Sequence, residues 1–324
     1  MAVNFMDEAP EIIKEFLLYK QNVKGQSPKT VDEYYIDLRT FFRYINMSRK
    51  ISADEFDEIK IDNVDKELVK TVTLRETYEF MNFLQRERDN GQASRARKTS
   101  SLRQFYKYLE RQHIIDVNPI KDLETPKLRK SLPKYLTLEQ SIELLNAVEG
   151  DNAKRDYCIL TLFLNCGLRL SEMCGLNYSD IRSDNTMRVL GKGNKERIIY
   201  LNKACRDAVK DYMEVRPVDD VKDKKALFIS RNHNRMSPKT VQAMVYKYLE
   251  KIGLNAQGYS CHKLRHTAAT LMYQTGNVDI RVLKDVLGHE NLGTTEIYTH
   301  LSNQQLKEAA ENNPLGKVKP KDKN

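Results

Sequence analysis

Asp156-Tyr157-Cys158-Ile159-Leu160-Thr161-Leu162-Phe163-Leu164-Asn165-Cys166-Gly167-Leu168-Arg169-Leu170-Ser171-Glu172 is the stretch on which the reading of this chain turns. Residues 156–166 are strongly apolar and helix-like, and Gly167 suits the left-handed position that ends a helix. Ser171 and Glu172 favour the start of another helix, which leaves Arg169 at the junction of the two. An arginine there can pin free helix-end carbonyls. With Glu172 holding its guanidinium, it can equally present a fork to a phosphate oxygen pair.

Apart from a linker, the chain reads as helical on both sides of this junction, with one exception. Upstream, Ser27-Pro28-Lys29-Thr30 opens a helix with a capping serine and a first-turn proline, and Val31, Tyr34, Leu38, Phe41, Phe42 and Ile45 follow at helical spacing. Further amphipathic stretches cover roughly 9–20, 69–88 and 93–112. Arg95, Arg97, Lys98, Arg103 and Lys107 in the last of these read either as contacts for a nucleic-acid backbone or as a solvated face. Pro119, Pro126 and Pro133, with Lys127, Arg129, Lys130 and Lys134, read as a basic, extended linker. Helix restarts at Thr137, with Gln140 as its capping-box partner, and Ser237-Pro238-Lys239-Thr240 opens another to about Ile252. The exception is Met187–Leu190 and Arg197–Leu201, which flank Gly191-Lys192-Gly193-Asn194-Lys195-Glu196 as a β-hairpin with a glycine-rich turn.

Four of the six histidines fall between 262 and 300. His262 and Arg265 stand three apart behind Ser260, so they share one side of a helix near its N-terminus, an end suited to phosphate. His262 and His266 have the spacing of a zinc-binding helix, but Lys263 stands where such a motif carries its catalytic glutamate, and Arg265 repels a cation. His289 follows Gly288 after an apolar run and reads by itself as a capping residue; Tyr298 in Ile297-Tyr298-Thr299-His300 reads by itself as core. Together, two arginines, a lysine, two histidines and a tyrosine form a set able to attack a phosphodiester without metal.

Composition supports a polyanionic partner. Residues 1–125 carry 21 Lys and Arg against 22 Asp and Glu, and residues 126–324 carry 33 against 23, so the whole net charge of +9 lies in the second part. No apolar run approaches the roughly 20 residues that span a bilayer. No secretory signal is visible, and the five cysteines, without paired spacing, read as reduced core thiols of a cytoplasmic protein. With neither a phosphate-binding glycine loop nor a metal-binding carboxylate cluster, no cofactor and no metal are expected.

Gly167–Glu172, Gly191–Arg197, His262–His266, Leu287–His289 and Ile297–His300 occur in the order and at the spacings of one family. The chain resembles the tyrosine recombinase (phage integrase) family, and most closely its Xer-type site-specific recombinases. The resemblance implies a mainly α fold with a small β-hairpin. It implies a helical, SAM-like core-binding domain over 1–117, a linker over 118–136, a catalytic domain of the DNA breaking–rejoining fold over 137–313, and a basic tail over 314–324. Carried over position by position, it makes Tyr298 the nucleophile of a 3′-phosphotyrosyl bond and sets Arg169 and Arg265 on the scissile phosphate. Lys192 protonates the leaving 5′-oxygen, His262 assists proton transfer at the nucleophile, and His289 donates to a non-bridging oxygen. Cys261 departs from the family, many members of which have proline there.

The implied partners are double-stranded DNA sites held in a homo-tetramer, or in a hetero-tetramer with a paralogous recombinase, with a DNA translocase as regulator. The implied role is chromosome dimer resolution at a dif-like site. The alternatives are integration and excision of a mobile element, a type IB topoisomerase-like activity, and a catalytically silent DNA-binding accessory protein. Gln304–Ala310 is a short helix candidate, of the kind that docks on a neighbouring subunit in the family.

Overall fold

The computed structural model describes residues 5–126, 134–191, 195–275, 278–288 and 295. The chain divides into two compact units, residues 1–130 and 131–324.

The first unit is built from α1 (Phe5–Glu8), α2 (Glu11–Leu18), α3 (Pro28–Ser48), α4 (Lys66–Thr71), α5 (Leu74–Arg86) and α6 (Gln92–Arg111). Ser27 caps α3, its hydroxyl accepting from the Thr30 N–H, with Pro28 in the first turn as expected. The stretch 69–88 is two helices rather than one. Val72 is extended, and Thr73 opens α5 with a capping box in which its hydroxyl accepts from the Glu76 N–H while the Glu76 carboxylate accepts from the Thr73 N–H. The apolar stripes of these helices meet in an aromatic core in which Phe16, Phe41, Phe42, Phe80 and Phe105 are fully buried. Phe16–Phe105 and Phe41–Phe80 stand edge to face at 5.3 and 5.1 Å. Ile120 and Leu123 also lie in this core.

The basic residues of α6 do not form one face. Lys98 is buried and donates to Asp37 at 3.0 Å, Arg97 pairs with Glu33 and Asp37 at 2.8 Å each, and Arg103 and Lys107 are exposed. The fully buried Asp37 carboxylate explains this split, because a charge taken from water must be paired.

The second unit contains α7 (Leu138–Asn146), α8 (Ala153–Cys166), α9 (Leu170–Gly175), β1 (Thr186–Leu190), β2 (Glu196–Tyr200), α10 (Lys203–Val215), α11 (Pro238–Lys251), α12 (Cys261–Thr275) and α13 (Ile280–Leu287). The decisive stretch forms the middle of this unit. From Cys158 to Leu164 every side chain of α8 is buried, and α10 and α12 pack against it. β1 and β2 pair antiparallel, Val189 opposite Arg197 and Met187 opposite Ile199, with Met187, Val189 and Ile199 buried. Thr137 and Gln140 make the expected capping box on α7, and the Ser237 hydroxyl caps α11 by accepting from the Thr240 N–H. All five cysteines are free and buried, Cys166 and Cys205 with their sulfurs 3.8 Å apart. No helix among the described residues is long and apolar enough to cross a membrane.

Candidate active site

Gly167 ends α8 in the left-handed conformation, φ 59° and ψ 35°, and the chain reverses into α9 with Arg169 at the cap position. A Cβ on Gly167 would lie 2.7 Å from Leu287 Cδ2, so this turn needs glycine for its backbone and for the close approach of α13. The exposed carbonyls at the end of a helix want donors. Gly167 O receives one from Arg265 Nη1 at 2.6 Å, so it is Arg265, not Arg169, that pins the end of α8.

Glu172 is the hub of the site. Its Oε1 accepts from Arg169 Nη1 at 2.7 Å and from Arg197 Nη1 at 2.8 Å. Its Oε2 accepts from the Arg169 backbone N–H at 2.8 Å and from Arg197 Nη2 at 2.9 Å, and lies 3.9 Å from Arg265 Nη1. Burial by itself would raise its pKa. The hydrogen bonds from Arg197 and Arg169, with the Arg197 charge, outweigh that and hold it down to about 2.

The same three guanidiniums grip the end of α13. Arg197 Nε donates to Val286 O at 3.0 Å, Arg265 Nη2 to Leu287 O at 2.6 Å, and Arg169 Nη2 to Gly288 O at 3.0 Å. Three consecutive carbonyls thus take one arginine each, at the negative end of the helix, where cations are favoured. Gly288 is left-handed with φ 65°, and a Cβ there would press on Arg197 at 3.0–3.2 Å. Arg169 is the accessible member of the three, its side chain 36 % exposed, while Arg197 is at 12 % and Arg265 at 3 %.

His262 and Arg265 share α12, as their spacing requires, and Ser260 O accepts from the N–H groups of Lys263 and Leu264. The His262 and His266 rings stand edge to face with centroids 4.5 Å apart. Partial burial of the His262 ring, then the charges of Arg265, Lys263 and Arg169, hold its pKa below the ordinary imidazole value, which keeps it neutral and able to accept a proton near pH 7. Buried Cys261 at the helix entry has its thiol pushed up to about 11 by burial, so it is an unreactive packing residue.

The structure therefore brings Arg169, Arg265 and the anticipated partner Glu172 into one cluster, and sets His262 near enough to feel both arginine charges. Lys192, His289 and Tyr298 lie outside the described residues, as does Gln304–Ala310. The turn that carries Lys192 is closed at its base by the Gly191 N–H donating to Lys195 O at 2.8 Å. Arg197 is the residue that sequence reasoning left without a role. Strand alternation sets it on the same face as Ile199, but nothing local says that it reaches Glu172.

The chain is similar to known proteins over most of its length. Residues 134–305 match the model of the phage integrase family, and residues 13–113 match that of its N-terminal SAM-like domain. A tyrosine recombinase XerC of Caldanaerobacter subterraneus subsp. tengcongensis is 52% identical over 318 residues, covering 97% of this chain and 90% of that protein. A tyrosine recombinase XerC of Thermodesulfovibrio yellowstonii is 33% identical, covering 94% of this chain and 97% of that one. Among solved structures, XerH site-specific recombinase bound to difH substrate in a pre-cleavage complex superposes with a TM-score of 0.69 at 21% identity, over 95% of this chain and 86% of that one, a likeness of fold.

Proposed function

Because the chain belongs to the phage integrase family and is a Xer-type site-specific tyrosine recombinase, we propose that Tyr298 attacks the scissile phosphate of a dif-like DNA site, within the six-residue set Arg169, Lys192, His262, Arg265, His289 and Tyr298. The observation that supports this most directly is the Glu172-centred arginine cluster. Among the described residues, three guanidiniums and one carboxylate leave a surplus of two positive charges, with Arg169 the most accessible of the three, at the end of α13.

The chemistry follows from the charges. The phosphate gains negative charge as the tyrosine oxygen bonds to phosphorus, and Arg169, with Arg265 set behind it, stabilises that charge in a partly dry site, where electrostatics are strong. A free tyrosine has a pKa of about 10, so it must give up its proton to a neighbour. His262, neutral near pH 7, is the acceptor within the set. Lys192 returns a proton to the departing 5′-oxygen, and His289 donates to a non-bridging oxygen. The phosphodiester energy is kept in the tyrosine–DNA bond, so rejoining needs no nucleotide. In this reading two DNA sites are exchanged within a tetramer of this chain, or of this chain and a paralogue, in the cytoplasm. The reaction resolves chromosome dimers before cell division, under the control of a DNA translocase.

A nicked duplex bearing the site tests the assignment. The wild-type chain is expected to form a denaturant-stable protein–DNA adduct and Tyr298→Phe none. An adduct that persists in Tyr298→Phe sinks it.

A further inference from the structure

We propose that Arg197 is a positioning residue for strand cleavage: it serves as the dedicated counter-ion of Glu172, which leaves the charges of Arg169 and Arg265 to the phosphate. The inference rests on the reading of those two arginines as phosphate-binding.

Glu172 has one charge to neutralise and three guanidiniums around it. Arg197 meets it as a two-pronged fork, Nη1 to Oε1 at 2.8 Å and Nη2 to Oε2 at 2.9 Å, the strongest geometry available to such a pair. Arg169 meets the carboxylate with one side-chain nitrogen, and Arg265 stands at 3.9 Å. The third donor position of Arg197, Nε, is taken by Val286 O at 3.0 Å. Arg197 thus meets Glu172 with both terminal nitrogens and Val286 O with Nε, the pattern of a residue that holds other groups in place.

Its location makes the arrangement economical. It sits on β2 two residues beyond Lys195, whose carbonyl closes the glycine-rich turn, and a Cβ on Gly191 would lie 3.8 Å from Glu172 Oε1. One side chain therefore ties the hairpin, the α9 carboxylate and the end of α13 together. Without it, Arg169 and Arg265 are the guanidiniums left around Glu172 among the described residues, and the surplus charge of this described cluster falls from two to one.

The test compares single-turnover cleavage by the full chain on two nicked duplexes. One carries the natural scissile phosphate, the other a methylphosphonate there, which has no negative charge and so makes less demand on the guanidiniums. On the natural site Arg197→Gln is expected to cleave about tenfold to a hundredfold more slowly, by analogy with residues that orient the ligands of a metal site, and Arg197→Lys to fall between. On the methylphosphonate the deficit of Arg197→Gln should shrink toward parity with wild type, as should that of Arg169→Gln. If the Arg169→Gln deficit shrinks while that of Arg197→Gln is equal on both duplexes, Arg197 has a merely structural role and the inference is overturned. If the Arg169→Gln deficit is also equal on both, the phosphate reading fails and the inference with it. Should Arg197→Gln not fold, as read by its thermal transition, the same ratio taken on Arg197→Lys decides between these outcomes.

Discussion

Arg169 shows how two readings of one residue can both hold. It bonds a helix-end carbonyl, Gly288 O, and it carries a partly accessible guanidinium held by Glu172. The sequence made the Arg169–Glu172 pair legible because the two are three residues apart on one helix start. It left Arg197 and the end of α13 illegible, since those contacts join residues 25 and 119 positions apart. Glu172 also has a measurable signature. Its folded pKa of about 2 lies below the ordinary glutamate value of 4.5, so it contributes stability that is complete above pH 4.5 and is lost as pH falls toward 2. The shift amounts to on the order of 3 kcal/mol at neutral pH. Glu172→Gln is therefore expected to be less stable than wild type by up to about that amount at pH 7, with the gap narrowing steadily as pH falls from 4.5 toward 2. Urea midpoints of both proteins across that range check it, and a gap independent of pH would contradict the ion-pair account.

At the scale of elements, local sequence chemistry was the reliable guide. Ser27, Thr137 and Ser237 each cap the helix that their neighbours announced, and Gly167 ends α8. The join between α4 and α5 was hidden because apolar positions recur on both sides of it; the Thr73–Glu76 box that makes the break is visible once sought. The α8–α9 junction is the least replaceable of these features. Gly167→Ala places a side chain in the left-handed region, which costs about 1–2 kcal/mol. It also drives a methyl into Leu287, 2.7 Å away. The variant is expected to melt roughly 4 °C or more below wild type. Its cleavage rate should fall as well, since Arg169 and Arg265 both hang on this turn. An unchanged melting temperature, measured by calorimetry, would show that the turn relaxes freely.

For the whole molecule, the charge imbalance sets how it meets DNA. The net positive charge lies entirely in residues 126–324, so association with duplex of any sequence should be strongly salt-dependent. We expect non-specific affinity to fall by about a thousandfold between about 50 and about 200 mM salt, as for a protein neutralising several phosphates. A titration by fluorescence anisotropy reads this directly, and a flat salt response would rule out backbone neutralisation as the source of affinity. The grip of three arginines on Val286, Leu287 and Gly288 bears on this encounter in a further way. Two of those arginines are the groups assigned to the phosphate, so a DNA strand and the end of α13 draw on the same guanidiniums. Binding at one is then coupled to the hold on the other, and the factor by which phosphate changes the docking of α13 equals the factor by which that docking changes phosphate affinity. Substrate entry and the seating of the end of α13 thus draw on one set of charges.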